Sequence, residues 1–381
     1  MPIANRTGRR LVDKNRRHIL HVFPSFGVGG VPLRTVRLMN HFVTSFRHSV
    51  IALDQNFAAA EGFVPNLDVA LVTRPKARHG LARALVDNAV ALRQLKPDLL
   101  ITYNWGAIEW AMADRLLPVS RQMHFEDGFG KEEADRQLPR RVLFRRWALA
   151  RCDRVVVPSR KLEDVARSVW KLPAAQIAFI PNGVDLVRFA DPPRDAIPGF
   201  ERGIGGLVVG TVAPLRPEKN IGRLLRVFAT LDPSLPARLV IAGDGSERVA
   251  LTQLAGELGI AERVFFTGHV APEAVLGTFD VFVLSSDTEQ MPIAVLEAMA
   301  AGRAVAAVDV GDVRTILSEE NQEFIVPRDD GAAFGAAIAR LLCDPVLRTR
   351  LGDRNRTRAA SAFSQQRMFD DYATLFGLNA L

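Results

Sequence analysis

The chain has 381 residues, of which 48% are hydrophobic and 24% charged, with a formal net charge of +7 and a pI of about 9.9. This length favours two domains over a single core. No uncharged apolar run of about 18 residues occurs, so we expect no transmembrane helix. The basic N-terminus lacks the compact apolar segment of a secretory signal, and we therefore expect a cytoplasmic protein.

The positive charge indicates anionic partners without identifying them. The sequence has no RNP-type aromatic motif, zinc finger or helix-turn-helix pattern, so we expect no nucleic-acid role. Residues 1–17 form a basic N-terminal tail with a single acid, Asp13. Either this tail is solvated, or it adheres to an anionic membrane surface.

From residue 18 onward, strand and helix patterns alternate, which is typical of a doubly wound α/β domain. Strands are predicted at 18–23, 48–53, 69–73, 98–103, 122–125 and 154–157, with helices that include 81–95 and 107–117. After the first strand, Gly29 and Gly30 precede a helix, and glycines at such a corner let a phosphate approach backbone amides. The full dinucleotide fingerprint is absent, so a dinucleotide site is a poor fit.

Two features of the first half have competing interpretations. His124 ends a short strand before a polar, glycine-rich loop, and its position alone suits either a structural histidine or a site residue. Residues 136–151 set apolar side chains among six arginines. Such a basic amphipathic helix either lies on a membrane surface or packs on the sheet with its arginines in water.

The proline- and glycine-rich residues 191–206 are expected to contain the domain boundary. We assign residues 18–195 to an N-terminal Rossmann-like domain and residues 206–360 to a C-terminal one. Residues 361–381 are expected to form a C-terminal helix that crosses back to the N-terminal domain. Predicted strands of the second domain lie near 207–212, 238–242, 263–267, 280–284, 304–308 and 324–326, and its helices include 221–231 and, as the last before the terminal helix, 331–343.

Arg216 and Lys219 lie in the loop between the first strand and first helix of the second domain. Cations at the carboxyl end of a strand and at a helix entrance suit a diphosphate. The alternative is a surface loop that merely carries charge.

Residues 280–302 have the pattern of a buried strand, a polar loop and a helix. Pro292 suits the first turn of this helix and Gly302 its end. The helix is apolar except for Glu297, and a buried carboxylate requires a polar partner. Glu289 lies in the loop at the carboxyl end of the strand, where ligands bind in open α/β sheets. We therefore expect Glu289 and Glu297 to belong to one polar-ligand site.

Together these motifs resemble a family-4 glycosyltransferase of the GT-B fold, in which two Rossmann-like domains face each other across a cleft. The segment TEQMPIAVLEAMAAG is similar to that family's paired-glutamate signature. The resemblance covers nearly the whole chain from residue 18, and the shorter motifs that follow the family's order are PNGVD at 181–185, RPEKN at 216–220, AGDG at 242–245 and TGHV at 267–270. Pro214 departs from the pattern, because the family usually has arginine five residues before the lysine.

The resemblance implies a role for each matching residue. Glu297 would bind the ribose hydroxyls of a nucleotide sugar, Glu289 would contact hydroxyls of the transferred hexose, and Lys219 would neutralise the diphosphate. His124 would lie beside the reacting sugar, so that His124 and Glu289 form the catalytic set. The remaining donor-binding positions are Gly29 and Gly30 in the first loop, Arg216 as a substitute for the missing arginine, Val270 near the base, and Met291, Pro292 and Ile293 through their amides.

The implied reaction moves a hexosyl group, with retention of configuration, from a UDP- or GDP-linked sugar to a glycan or lipid-linked acceptor. No cofactor beyond the donor is expected, and no metal, since the sequence has no tight cluster of Asp and His ligands. The basic segments add an expectation of peripheral contact with the cytoplasmic face of a membrane. Two alternatives are another GT-B enzyme, such as a sugar phosphorylase or a nucleotide-sugar epimerase, and a non-catalytic module that binds sugar nucleotides or membranes.

Overall fold

The computed structural model describes residues 16–74, 80–133, 136–194, 196–203 and 206–378. The chain forms two compact units that divide between Ile180 and Pro181. Most of the predicted basic tail, residues 1–15, lies outside the described residues. Within the described ranges, no helix combines the length and the apolar character needed to cross a membrane.

The first unit is an α/β unit around one parallel sheet of seven strands in the order β3-β2-β1-β4-β5-β6-β7. Its strands are β1 (Arg17–Phe23), β2 (Phe46–Ala52), β3 (Val69–Val72), β4 (Leu99–Tyr103), β5 (Arg121–Phe125), β6 (Arg154–Val157) and β7 (Ile177–Phe179). Its helices are α1 (Gly30–His41), α2 (Leu81–Leu95), α3 (Ile108–Leu116), α4 (Pro139–Leu149) and α5 (Arg160–Ser168). Helices on both faces bury β1 and β4, which explains their nearly continuous apolar sequences.

The second unit is built on a parallel sheet of six strands in the order β10-β9-β8-β11-β12-β13. Its strands are β8 (Leu207–Val212), β9 (Ala237–Ala242), β10 (Val264–Gly268), β11 (Val281–Leu284), β12 (Ala304–Val308) and β13 (Ile325–Val326). Its helices are α6 (Ile221–Ala229), α7 (Arg248–Glu257), α8 (Pro272–Leu276), α9 (Ile293–Ala300), α10 (Val313–Ile316), α11 (Gly331–Cys343), α12 (Pro345–Ala362) and α13 (Gln365–Phe376). The doubly wound organisation predicted for both halves is confirmed, and the predicted strands occur with small shifts at their ends.

The strand, loop and helix predicted for residues 280–302 are confirmed by β11 and α9. β11 is buried throughout, and α9 is buried over its last six residues, 295–300. Pro292 precedes the helix and Gly302 follows it with φ of 69°, a left-handed conformation that favours glycine. Most of the apolar residues of this stretch belong to the hydrophobic core of the second unit.

The junction between the units lies earlier than the predicted linker, residues 191–206. The stretch after Ile180 belongs to the second unit because Val184, Phe189 and Phe200 are buried in that unit's hydrophobic core. Prolines and glycines give this stretch the composition of a linker, but its spaced apolar side chains attach it to the core. The terminal helix α13 is also grouped with the second unit, and its predicted crossing to the N-terminal domain stays a prediction.

Helix α12 was not predicted, although its 18 residues make it the longest helix among those described. Its sequence is rich in arginine and has few apolar residues, so the periodic signal of an amphipathic helix is weak. A local hydrogen bond and a few buried side chains explain why this helix forms. The Asp344 side chain accepts a hydrogen bond from the amide of Leu347, which caps the helix start. Leu351 and Asn355 are buried against the rest of the unit.

Buried histidines are an unusual feature of the first sheet. Nε2 of His21 lies 3.0 Å from Nδ1 of His48, and Nδ1 of His21 lies 3.0 Å from the Tyr103 hydroxyl. Nε2 of His18 lies 2.8 Å from Oγ of Ser49. Burial lowers the pKa of all three histidines, and the effect is reinforced by neighbouring charge, with the pKa of His48 lowered to about 3. The folded state therefore disfavours the protonated form of each ring.

We predict that acid destabilises the first unit through these histidines. Below about pH 6.5 the unfolded chain takes up protons that the folded chain excludes, so the free energy of unfolding falls by up to about 1.4 kcal/mol per pH unit and histidine. For His48 the loss continues to about pH 3. All four tryptophans lie in the first unit, so urea unfolding followed by tryptophan fluorescence measures that unit.

The replacement His48→Gln keeps a hydrogen-bonding side chain but cannot titrate. We expect it to flatten the decline in stability between pH 7 and pH 5, two values that bracket the histidine titration. The matched control is His41→Gln, at an exposed position of the same unit, which should leave the decline unchanged. If the free energy of unfolding declines equally with falling pH in the wild type and in His48→Gln, the buried ring is not a source of acid sensitivity.

Candidate functional site

The order of strands in the second sheet reverses between β8 and β11, which pair directly. At such a switch point the chain leaves the two strands toward opposite faces, so a crevice opens at their carboxyl ends. Lys219 follows β8 and Glu289 follows β11. Nζ of Lys219 lies 2.6 Å from Oε1 of Glu289, and Oγ of Ser286 donates to the same oxygen at 2.8 Å. The two residues that the sequence suggested separately are therefore in contact.

A network around Asp287 fastens the two loops to each other. Its Oδ1 accepts hydrogen bonds from Asn220 Nδ2 at 2.9 Å and from Arg223 Nη2 at 2.7 Å, and its backbone amide donates to the Glu218 carbonyl at 2.8 Å. Arg223 also donates to the Ser285 carbonyl at 2.8 Å. The Lys219–Glu289 pair thus stands on a backbone that is already fixed.

Glu297 lies in α9, directly after the Glu289 loop, and is only 6% exposed. Pro292 is buried and Ile293 is half-buried at the start of this helix. Met291 is held from the side by Asn182, whose Nδ2 donates to the Met291 carbonyl at 3.0 Å and whose amide donates to Sδ at 3.1 Å. The predicted donor loop is therefore bonded to the PNGVD motif.

The AGDG motif has a structural explanation. Gly243 has φ of 140°, and a Cβ there would overlap the Ala213 carbonyl, so the position requires glycine. Its amide donates to the Gly268 carbonyl at 2.9 Å, while the Leu215 amide donates to the Asp244 carbonyl at 2.9 Å. The motif packs the loops after β8, β9 and β10 together and so positions the chain that leads to Lys219.

Arg216 and Val270 are two further predicted donor positions, and their roles stay predictions as well. Arg216 and Pro214 are both exposed, so Arg216 is accessible to a ligand, but its substitution for the missing arginine stays a prediction. Val270 is half-buried and packs against the second core. In the described part of the chain, no group of three or more His, Cys, Asp or Glu side chains is placed to hold a metal ion.

The first sheet has its own switch point, between β1 and β4. A pocket of about 340 Å³ opens at the carboxyl ends of these strands and of β5. Its lining comes from the segments after the three strands and from α1 and α4: Val31, Asn104, Trp105, Gly106, Asp127, Gly128, Phe129, Gly130, Glu132, Arg141 and Arg145. The pocket therefore lies where the topology favours ligand binding.

Asp127 is fixed at the pocket wall. Arg34 on α1 binds both of its carboxylate oxygens, at 2.5 and 2.8 Å, and the two side chains are 5% and 8% exposed. The Asp127 amide donates to Oδ1 of Asn104 at 2.7 Å. This bidentate pair holds the carboxylate in one orientation.

Two arginines of α4 are also paired with carboxylates. Arg145 is fully buried, donates to both oxygens of Glu133 at 3.0 and 3.1 Å, and lies 3.3 Å from Glu126 through Nε. Arg141 donates to Glu132 at 2.7 Å and to Glu133 at 2.9 Å. Burial alone would raise the pKa of Glu133, but hydrogen bonds from Arg145 and Arg141 outweigh it and lower that pKa. Glu133 is therefore held ionised.

Aromatic rings surround the Arg145 guanidinium. Its central carbon lies 5.0 Å from the Trp105 ring centre, 5.2 Å from Phe129 and 5.3 Å from Trp170. These cation–π contacts and the carboxylates replace the water that the buried charge has lost. The interpretation of α4 as a helix with its arginines in water is wrong for Arg145.

His124 is at the end of β5, as predicted, but its ring is fully buried. Nδ1 lies 2.8 Å from Oγ1 of Thr102, and Nε2 lies 3.5 Å from Glu126. In this structure the ring contacts protein groups and presents no surface to a ligand, which favours a structural role. Its catalytic assignment stays a prediction.

Gly29 and Gly30 lie at the start of α1, next to the pocket residue Val31. Gly29 has an extended backbone with φ of 179°, which any residue can adopt. A Cβ at this glycine would meet only Pro32, at an ordinary 3.9 Å. Protein packing does not require glycine here, and the predicted donor-binding role of Gly29 and Gly30 stays a prediction.

Trp105, Asp127 and Arg145 were not predicted from the sequence as pocket residues. Trp105 and Asp127 each follow a strand at the switch-point edge, so their position was a usable signal. Arg145 gave no such signal, because it is one of six arginines in residues 136–151. Its four-residue spacing from Arg141 places both on one face of α4, but only the fold shows that this face meets Glu133.

Two family models match the chain. "Glycosyltransferase Family 4" matches residues 28–188, and "Glycosyl transferases group 1" matches residues 202–358. The first match contains the pocket, and the second contains Lys219, Glu289 and Glu297.

Curated relatives are similar over most of the chain. A D-inositol 3-phosphate glycosyltransferase from Nocardia farcinica is 29% identical over 69% of this chain and 62% of its own length. A 2-deoxystreptamine N-acetyl-D-glucosaminyltransferase from Streptomyces fradiae is 27% identical over 74% of this chain and 70% of its own. The chain spans less than two thirds of the lengths of the D-inositol 3-phosphate glycosyltransferases it matches first.

Solved structures confirm the predicted GT-B fold. Sucrose-phosphate synthase from Thermosynechococcus elongatus has a TM-score of 0.79 at 22% identity, over 95% of this chain and 99% of that one. Anabaena HepE in complex with UDP and glucose has a TM-score of 0.79 at 18% identity, over 95% of this chain and 100% of that one.

We predict that the buried Arg145 network is required for the stability of the first unit. Arg145→Ala leaves Glu126 and Glu133 without their main cation and should lower the free energy of unfolding by about 3–5 kcal/mol. Arg145→Lys keeps the charge but loses the planar guanidinium fork, so its free energy of unfolding should lie between those of the wild type and Arg145→Ala. Urea unfolding followed by tryptophan fluorescence measures both.

The matched control is Arg140→Ala on the exposed face of α4, for which we expect a change within about 0.5 kcal/mol. If Arg145→Ala proves as stable as this control, the network does not stabilise the unit.

Proposed function

The chain belongs to glycosyltransferase family 4, and on this premise we propose that it transfers a hexosyl group from a nucleotide-diphosphate sugar to a hydroxyl of a glycan or lipid-linked acceptor. The observation that carries the proposal is the Lys219–Glu289 contact at the switch point of the second sheet. A cation for a diphosphate and a carboxylate for sugar hydroxyls meet there, followed by the buried Glu297.

In the proposed cycle the Lys219–Glu289 pair is exchanged for donor contacts. The side chain of Lys219 is 18% exposed and that of Glu289 12%, so a bound diphosphate can reach the cation while the carboxylate turns to the hexose. Because a diphosphate carries more charge than one carboxylate, it competes well for Lys219. Glu297 accepts hydrogen bonds from the ribose hydroxyls, and the backbone amides near Met291 donate hydrogen bonds to the phosphate.

We propose retention of configuration as part of the same function. The bond between the anomeric carbon and the diphosphate breaks while the acceptor oxygen bonds to that carbon on the same face, and the acceptor proton passes to a phosphate oxygen. Lys219 stabilises the negative charge that develops on the leaving group. Neither a metal nor a further cofactor takes part in the proposed steps.

We propose UDP as the preferred nucleotide of the donor and GDP as the alternative. The HepE structures that share this fold contain UDP and, in another complex, UDP-glucose. The acceptor class follows the relatives, which include a lipopolysaccharide core biosynthesis glycosyltransferase of Rhizobium meliloti that is 34% identical over 36% of this chain and 40% of its own length.

We predict that Lys219→Ala and Glu297→Ala each weaken nucleotide-sugar binding. The loss of one charge-assisted contact should raise the dissociation constant roughly tenfold to a hundredfold. Isothermal titration with UDP-glucose, UDP-galactose, UDP-N-acetylglucosamine and GDP-mannose measures the effect. Free UDP contains both the ribose and the diphosphate, so both variants should also weaken the binding of UDP.

Arg226→Ala is the control, because it removes an exposed cation from the same unit. It should bind the donor like the wild type. If no nucleotide sugar binds the wild type, or if Lys219→Ala and Glu297→Ala bind as it does, the proposed donor site is wrong.

Peripheral membrane contact is proposed for the exposed face of α4. Leu143 is 65% exposed there, next in the helical spacing to the exposed Arg140 and Arg146. An apolar side chain among cations suits the interface of an anionic bilayer, where each cation contributes about 1 kcal/mol.

We predict that the protein sediments with phosphatidylglycerol vesicles at low salt and is released at high salt. The double variant Arg140→Glu, Leu143→Ser should bind at least about tenfold more weakly, as expected for a reversed charge and a lost apolar contact. The control, Arg93→Glu with Val90→Ser, makes the same changes at exposed positions of α2. Equal sedimentation of both variants would exclude α4 as the contact.

A further inference from the structure

The loop after β12, residues 309–312, lies against the backbone that carries Glu289. The Asp312 amide donates to the Gln290 carbonyl at 2.8 Å. Gly311 approaches the carbonyls of both Glu289 and Gln290 so closely that a Cβ at this glycine would overlap the two oxygens, the second at 2.6 Å. Two successive carbonyls of the Glu289 loop therefore face one short segment that follows the neighbouring strand.

This segment is itself held in place from behind. The Asp309 amide donates to the Val326 carbonyl of β13 at 2.8 Å. Val310 and Val313, on either side of Gly311, are buried in the hydrophobic core of the second unit. Because a packed core resists displacement, a side chain at residue 311 would push on the Glu289 backbone rather than move the segment away from it.

Gly311 has two separate reasons to be glycine. Its φ of 54° lies in the left-handed region, which costs any residue with a Cβ some conformational energy. The second reason is the close approach to Glu289 and Gln290. Gly259, in the loop after α7, has the first reason without the second: its φ is 68°, and a Cβ there would meet nothing within 4 Å. Comparing the two glycines isolates the effect of close approach.

The backbone around Glu289 has few other anchors. The Asp287 amide bonds to the Glu218 carbonyl on one side, and Asn182 holds Met291 on the other. Between them, the Glu289 carboxylate is oriented by Lys219 and Ser286. If a donor replaces the Lys219 contact, as proposed above, the backbone has to keep this carboxylate in place, and the backbone rests on Gly311 and Asp312.

We propose that Gly311 is a positioning residue for the hexose part of the donor. The absence of a side chain lets the loop after β12 set the backbone of Glu289, and with it the position from which the carboxylate reaches the sugar hydroxyls. Lys219 and Glu297 lie in the loop after β8 and in α9, so the contacts to the diphosphate and the ribose depend much less on residue 311. The inference rests on the proposed function of this site.

The test compares free UDP with a nucleotide sugar by isothermal titration of the full chain. The sugar is whichever of the four donors named above the wild type binds most tightly. Gly311→Ala should raise the dissociation constant of the nucleotide sugar at least about tenfold and that of UDP by no more than about threefold. Gly259→Ala, the matched control, should leave both constants unchanged. If Gly311→Ala weakens the two ligands equally, or weakens neither, the proposal is wrong.

A double variant shows whether residue 311 acts through Glu289. In a Glu289→Ala background the group to be positioned is gone, so Gly311→Ala should change the dissociation constant of the nucleotide sugar by less than about threefold. If the effects of the two substitutions multiply instead, residue 311 disturbs the site by another route and the proposal is overturned.

Hydrogen exchange of the wild type gives a measurement that does not depend on the folding of any variant. If the loop after β12 supports Glu289, a ligand that engages Glu289 should in turn stabilise this loop. Amides in a peptide that covers residues 309–313 should therefore exchange more slowly with the nucleotide sugar bound than with UDP bound, both at saturation. A peptide that covers Gly259 should show no such difference. Equal exchange of residues 309–313 in the two complexes would overturn the proposal.

The same titrations separate this proposal from the proposed function. If the wild type binds nucleotide sugars and Gly311→Ala keeps the wild-type ratio of the two dissociation constants, the role of Gly311 is wrong and the donor site stands. If the wild type binds no nucleotide sugar, the proposed function is wrong and the role of Gly311 falls with it.

Discussion

The constraint on which both sites depend is the reversal of strand order in a wholly parallel sheet. At β1 and β4, and again at β8 and β11, neighbouring strands send their following segments to opposite faces and leave an opening at their carboxyl ends. In the first unit this opening is a pocket with Asp127 at its wall. In the second it brings Lys219 to Glu289. Topology thus selects which loops carry chemistry, before any side chain is considered.

Each site contains a cation that is paired with a carboxylate of the chain itself. Isolated charges at partly buried positions would lose hydration without compensation, so the chain supplies counter-charges of its own: Glu289 for Lys219, and Asp127 for Arg34. The two pairs differ in accessibility. The Lys219 pair is partly exposed and can be exchanged for a ligand, whereas Arg34 and Asp127 are nearly buried and hold their geometry. One pair is suited to exchange, the other to orientation.

The strands and the polar residues beside them were predictable because they depend on local patterns. Residues 280–302 show this, since an apolar strand, Pro292 and Gly302 fix the element by themselves. What depends on distant partners was not predictable. Arg145 has the same sequence context as its exposed neighbours, and only folding brings Glu133 to it. The sequence also could not show that the His124 ring is fully buried. A position at the end of a strand does not by itself determine whether the side chain there is buried.

Two methionines act as hydrogen-bond acceptors in this fold. Sδ of Met291 accepts from the Asn182 amide at 3.1 Å, and Sδ of Met368 accepts from the Gly183 amide at 3.2 Å. Both methionines are buried, which disfavours water as a substitute acceptor. Leucine has similar size and hydropathy but no lone pairs. At these two positions a Met→Leu exchange that substitution tables score as conservative removes a polar contact from consecutive backbone amides, and sequence comparison alone would not register the loss.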